Sequence, residues 1–414
     1  MRPPTVAALP APIAEPAVRR LASAWARELD TLAEEMHTYL LARVPEASSD
    51  PEISRLTLAS CASNIEAMLS MIRHGIPASA IEAPIAALEH ARRMAARGHG
   101  IDVTLRFYRV GHAYFWERWS VDLVHAIEDR DRLVTALSAT AGFLFHYIDV
   151  ISGLVSTEYL AERERRQRRA AVVRADLVRA VLAGEAIERT GTEQALGHQF
   201  GPRQIAFLCW SDDDPATLER AAAAVTSALG AGRSLVVPDG AHALAGWLNA
   251  TRDVDPEDLA RRVAEVAPDV RVALGGPGSG IAGFRRGHDE AQRARRIAQL
   301  LEAGAAAVTA YRDVALVDLL SRDLEAARAF VRAELGDLAA DDAATRRDRE
   351  TLLAVLSPHG GPGVAAHRLG VHRNTVLQRV RRAEALRGVP TGTRSTELLA
   401  ALLLAATLDR TVLD

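Results

Sequence analysis

Between Gly363 and Gly388 the chain reads GVAAHRLGVHRNTVLQRVRRAEALRG, with six arginines and one acid, Glu384. These residue types suit nucleic-acid recognition. Guanidinium groups neutralise phosphates, while Asn, Gln and Arg can pair bidentately with base edges. The rest of the chain is not basic: the formal net charge is −3 over 414 residues. A one-signed cluster in a near-neutral chain points to a polyanion, because merely solvated faces usually mix signs.

Two short helices joined at Gly370 account for the apolar spacing. Ala366 and Leu369 close the first, Gly370 supplies the sharp turn, and Val371 seals it from below. The second runs from Arg373 to Leu386, with Val376, Val380 and Ala383 on one inward face. This is a helix-turn-helix pattern. The opposite face then carries Asn374, Gln378 and Arg381, flanked by Thr375 and Arg382. The N-terminal residues of a recognition helix reach base edges. Arg373, Asn374, Thr375 and Gln378 are therefore expected to read bases, and Arg379, Arg381, Arg382 and Arg368 to contact phosphates. The pattern alone leaves open an ordinary amphipathic hairpin with a solvated Arg face.

The length suggests two or three domains. Hydrophobic content of 49% and charged content of 25% are those of a globular chain. All 50 basic residues are Arg. That excludes a Walker-type phosphate lysine, a Schiff base and any catalytic lysine. Cys61 and Cys209 are isolated, which suggests a reducing compartment and no disulfide framework. Residues 1–15 read as a flexible Pro/Ala tail without a signal-peptide pattern. No run of about 20 uninterrupted apolar residues is present. The expectation is a cytoplasmic chain with no membrane partner.

Residues 16–170 carry helical signals throughout and are expected to form a bundle. Gly75 stops one helix, and Ser79 with Glu82 has the spacing of a capping box for the next. Asp102 stands where an N-cap belongs. Tyr108, His112, Phe115 and Trp119 form one stripe on the following helix, a candidate effector pocket or simply helix core. The last helix of the region is long, from about Ala139 to Leu182, with the polar ERERRQRR at Glu162–Arg169. It either pairs with its copy in a dimer or is a solvated connector, with 171–200 as the linker.

From Gln204 the period changes. QIAFLCW, SLVVP, AHALAGWL, VRVALGG and AAVTAY read as strands, separated by helices that open at Asp214-Pro215 and Asp255-Pro256 and by a third after Gly283. The order β-α-β-β-α-β-α-β fits a ferredoxin-like α+β domain over 201–315. GSGIAG at Gly278–Gly283 satisfies a dinucleotide fingerprint, but it follows a late strand and lacks the acidic partner, so a plain loop is favoured. Asp212 and Asp239 are weighed as a metal pair and read as turn acids. His367 and His372 lie across the turn without metal-ligand spacing. No catalytic residue, metal site or cofactor is expected.

The segment HGGPGVAAHRLGVHRNTVLQRVRRAEALRG, followed by the Leu/Ala-rich STELLAALLLAATLDR, resembles the C-terminal helix-turn-helix domain of PucR/CdaR-type bacterial transcription regulators. The run His372-Arg373-Asn374-Thr375 is its most specific part. The α+β region resembles the GGDEF-like domain that those proteins often carry. The region holding YRVGHAYFWERW is similar to the RsbT co-antagonist RsbRD-type helical domain. The expected fold is thus multidomain and mainly α: an N-terminal helical bundle, a ferredoxin-like (GGDEF-like) α+β middle domain, and an all-α helix-turn-helix domain over 340–414. The resemblance implies a cytoplasmic transcription regulator of nearby or catabolic genes and names no effector.

The expected partners are double-stranded DNA, a second copy of the chain in a homodimer or higher oligomer, and an effector that is a small molecule or a protein. Two other classes stay open. One is a nucleotide-cyclase-like enzyme on the middle domain, against which the missing GGDEF signature in VVPDGAHAL speaks. The other is a stressosome-type interaction module in the N-terminal bundle.

Overall fold

The computed structural model describes residues 13–45, 50–211, 215–253, 255–301 and 306–413. Most of the 1–15 tail, Asp212 and the N-cap expected at Asp214 therefore lie outside the described residues. The chain forms two compact units, 1–170 and 171–414.

The first unit is helical: α1 (Pro16–Trp25), α2 (Leu29–Arg43), α3 (Pro51–His74), α4 (Ile85–Ala96), α5 (Ile101–Ala126) and the first part of α6 (Arg130–Ala183). Asp50 caps α3 by accepting from the amides of Glu52 and Ile53, with Pro51 at the first helical position. Gly75 ends α3 in the left-handed conformation, φ 63°. The Ser79–Glu82 capping box does not form. A 3₁₀ turn occupies Ala78–Ala80, and α4 begins only after Pro84, which disfavours helix at the residue before it. Gly100, not Asp102, is the N-cap of α5. The core joins Trp25, Met36, Leu40, Ile65, Phe115 and Trp119 with Phe143, Tyr147, Ile151 and Val155 of α6.

Helix α6 has 54 residues, starting nine earlier than the sequence suggested. Asp129 accepts from the Arg132 amide at 2.8 Å and so sets its start. Residues 163–169 of its polar stretch are exposed. By length and composition α6 is apolar enough to cross a bilayer, and a third of that apolar stretch is buried in the protein.

The second unit takes the end of α6, with Val178 and Val181 buried, and then α7 (Arg189–Leu196). The sheet has β1 (Gln204–Trp210), β2 (Ser234–Pro238), β3 (Ala243–Asn249), β4 (Arg271–Leu274) and β5 (Val308–Ala310) in the order β2-β3-β1-β4-β5. The first four strands are antiparallel and β5 pairs parallel to β4. With α8 (Pro215–Ala228) and α9 (Pro256–Val266) after β1 and β3, this is the ferredoxin-like arrangement with one added edge strand. Helix α10 (Gly280–Leu300) covers the other face, where Phe284 stacks on Trp247 with ring centroids 4.3 Å apart.

The glycines of GSGIAG serve this packing. A Cβ on Gly278 would stand 2.6 Å from the Gly283 Cα, so loop and helix backbones touch directly. After β5 come α11 (Tyr311–Leu320), α12 (Leu324–Leu335), α13 (Ala343–Leu356), α14 (Pro362–Arg368), α15 (Arg373–Arg387) and α16 (Ser395–Leu408). One apolar cluster runs from Trp247 and Phe284 through Val317 and Val331 to Leu402 and Leu404. The sheet and the C-terminal helices thus share a core, and α16 spends its leucines there.

Candidate nucleic-acid interface

Helices α14 and α15 are joined by a tight turn with Gly370 at φ 63°. Ala365, Ala366 and Val376 pack with Ala354 of α13 in a small core of their own, supported by Leu369, Val371 and Val380. Small residues at 365 and 366 let the helices approach closely. His372 is the N-cap of α15: its Nδ1 accepts from the Asn374 amide at 3.2 Å. That role was not read from the sequence, although a polar residue directly after the turn and before the helix is the signal for it. Gly388, φ 79°, ends α15.

The eight residues singled out for DNA divide by what holds them. Arg373, Asn374, Gln378 and Arg381 are exposed on one side of α15, and Arg368 lies at the end of α14. Among the described residues none of these five side chains has a hydrogen bond or ion pair. Thr375 is half-buried. Arg379 donates to Thr351 Oγ1 of α13 at 3.3 Å. Arg382 is engaged more fully: it donates to both carboxylate oxygens of Asp348, a fully buried residue, and to the Ala344 carbonyl. Its guanidinium braces α15 on α13, a use that sequence spacing could not show across 34 residues.

Two further groups tune the face. Arg387, almost wholly buried, donates to the backbone and carboxylate of Glu334 at the end of α12, and Arg394 donates to the other oxygen of that carboxylate. Glu384, the one acid of the segment, accepts from the amide and hydroxyl of Thr391. So three of the six arginines hold the domain together or lean on it, and the acid is occupied. The exposed face keeps three unpaired cations, Arg368 of α14 and Arg373 and Arg381 of α15, with the amides Asn374 and Gln378 between the last two. It can meet phosphates and base edges without first breaking internal bonds.

In the middle domain Asp239 sits at the β2–β3 turn, where its carboxylate accepts from Arg295 at 3.0 Å and Gln292 at 3.2 Å. No cluster of three metal-ligating side chains exists among the described residues.

In the N-terminal unit the stripe Tyr108, His112, Phe115, Trp119 splits in two. Tyr108 and His112 line a cavity of about 50 Å³ between α2, α3, α4, α5 and α6. Phe115 and Trp119 do not: both pack on Trp25 of α1, with ring centroids 5.1 and 5.0 Å from it, and form core. His90 also lines the cavity, and burial pushes its pKa down to about 4, with a smaller contribution from His99. Burial lowers His112 as well and raises the Cys61 thiol to about 12.

A helix-turn-helix with a free basic and amide face, sharing a core with an α+β domain and following a helical bundle in the chain, defines a DNA-binding regulator. Three family models match in that order. Residues 30–174 match the RsbT co-antagonist protein rsbRD N-terminal domain, 160–297 the GGDEF-like domain, and 349–406 the PucR C-terminal helix-turn-helix domain. This order of domains fits a PucR-type regulator. No curated protein matches it. Among solved structures it is similar to the crystal structure of the regulator of polyketide synthase expression from Bifidobacterium adolescentis. The identity is 21%, over 58% of this chain and 100% of that one, with a TM-score of 0.30.

Proposed function

We propose that this protein is a sequence-specific DNA-binding transcription regulator whose α15 enters the major groove. Arg373, Asn374 and Gln378, near the start of the helix, read base edges; Thr375, half-buried, contributes at its margin. Arg381 and Arg368 grip phosphates, while Arg379 and Arg382 serve first as braces. The observation that carries this reading is that the five exposed side chains are unpaired while the other arginines are committed to the domain.

The signal enters at the N-terminal unit, as a small molecule or a protein, and the protein works in the cytoplasm. The working form is a homodimer, since one helix-turn-helix reads too few base pairs to find a single site. Exposed apolar residues along α6, including Phe145, Leu160, Val172 and Val173, support pairing through that helix. The middle domain is a relay without catalysis: the Arg295 guanidinium already occupies the turn carboxylate at Asp239. Footprinting of genomic DNA with the purified full chain tests the proposal. Protected sites that share a two-fold related motif support it; protection without any common sequence contradicts it.

A further inference from the structure

We infer that the cavity of the N-terminal unit binds a small uncharged molecule bearing one O–H or N–H donor. The inference deepens the reading of that unit as the signal-receiving end, although ligand binding can be measured without it.

The chemistry of the wall selects the ligand. None of the fifteen lining residues is Asp, Glu or Arg, and most of the surface is apolar. A charged ligand would find no counter-charge there, and burying an unpaired charge is costly. The polar groups are mostly engaged with one another or with the backbone. Tyr108 donates to the Ala87 carbonyl at 3.1 Å, and Tyr147 donates to Asn64 at 3.0 Å.

The exception is His90. Thr57 donates its own hydroxyl proton to the Ile53 carbonyl, so its oxygen faces His90 Nε2, 3.2 Å away, as an acceptor. We assign the imidazole proton to Nε2 on that geometry. Nδ1 is left as a bare acceptor, buried and without a partner. A buried acceptor without a donor is a defect in a closed core; Nδ1 has almost no surface open to a water-sized group, so a ligand donor repairs the defect by displacing the wall around it.

Size and access fit the same class. A cavity of about 50 Å³ has room for roughly four water-sized groups. Met36 and Met68 on its wall can yield to shape. The lining residues that reach solvent are Asn64, His112 and Ile148, which puts the entrance between α3, α5 and α6. A bound molecule thus touches α6, the helix that continues past residue 170.

Three five-membered rings of nearly equal size separate the requirements: pyrrole is neutral with an N–H donor, furan is neutral without one, and pyrrolidinium is charged. Saturation-transfer NMR with the full chain should show pyrrole binding roughly five-fold more tightly than furan, the factor expected for one neutral hydrogen bond. Pyrrolidinium should give no transfer. His90→Phe should bring pyrrole down to the level of furan.

Gly111 lines the cavity, and a Cβ there meets Met36 and Leu40 at ordinary contact distances of 3.5–3.9 Å. Gly111→Leu should abolish binding of both neutral rings. Gly111→Ala, which favours the helix, should weaken binding in a chain that melts cooperatively. Absence of pyrrole transfer, equal affinity for pyrrole and furan, or unchanged pyrrole binding in both Gly111 variants would overturn the inference. DNA binding is read separately. Its loss with pyrrole binding intact removes the regulator reading and leaves the cavity assignment standing.

Discussion

Arg382 donates from Nε and Nη2 to the two carboxylate oxygens of Asp348, at 2.5 and 2.7 Å, and so ties the recognition helix to α13. The Asp348 side chain is fully buried while that of Arg382 is half exposed, so the two partners are not equivalent. Arg382→Ala strands a buried carboxylate and should cost about 3 kcal/mol, the lower end for breaking a buried pair. Asp348→Asn should cost less, because Arg382 can turn to water. Urea unfolding of both variants checks the order; equal costs would show that the carboxylate is reached by solvent.

Asn374 and Gln378 should carry sequence information. Each change to Ala is expected to cost about 1–3 kcal/mol on the preferred site and far less on unrelated DNA. Competition binding with both DNAs gives the answer. Equal losses on the two would make these residues positioning groups.

Stability should fall with acid through His90. The unfolded chain protonates this residue below its ordinary value of 6.5, whereas the folded chain does so only near pH 4. The contribution is complete above about pH 6.5 and is lost as pH drops from there toward 4, on the order of 3 kcal/mol. Cys61, Tyr108 and Tyr147, raised by burial, stay neutral across this window. Unfolding free energies between pH 7.5 and 4.5 should show the decline; His112, His198 and His288 are also lowered by burial and add to it, so His90→Gln should lessen the slope without removing it.

The middle domain should make no cyclic dinucleotide from GTP with a divalent metal. Mass spectrometry of the incubation reads this directly. Product that disappears in Asp239→Ala would overturn it.

The full chain should scatter light as a dimer at micromolar concentration, and Phe145→Arg, on the exposed side of α6, should shift it toward monomer. Phe145 is 64% exposed, so the change should leave the melting temperature nearly unaltered. A clean monomer mass for the unmodified chain would reject the dimer.

Local signals were readable where one residue decides the geometry. The turn at Gly370, the cap at Asp255 and the hairpin at Asp239-Gly240 all form where their residue types require them. The ferredoxin-like strand sequence followed from alternation and turn chemistry. Long-range partners were not readable. Ser79 and Glu82 have the spacing of a capping box, yet Pro84 moves the helix start beyond both. Tyr108, His112, Phe115 and Trp119 share one helical stripe, but Trp25, some ninety residues earlier in the chain, takes the last two into core. Arg381 and Arg382 are indistinguishable by type; only the position of Asp348 assigns one to solvent and the other to the fold.

The most direct test of the central claim is a salt titration of DNA binding by fluorescence anisotropy, comparing the unmodified chain with Arg381→Ala and with Arg368→Ala. Binding should weaken steeply with salt, and each substitution should flatten the log–log slope by about one unit for its lost phosphate contact, with no change in melting temperature. A slope identical in all three proteins would contradict the assignment of this face to DNA.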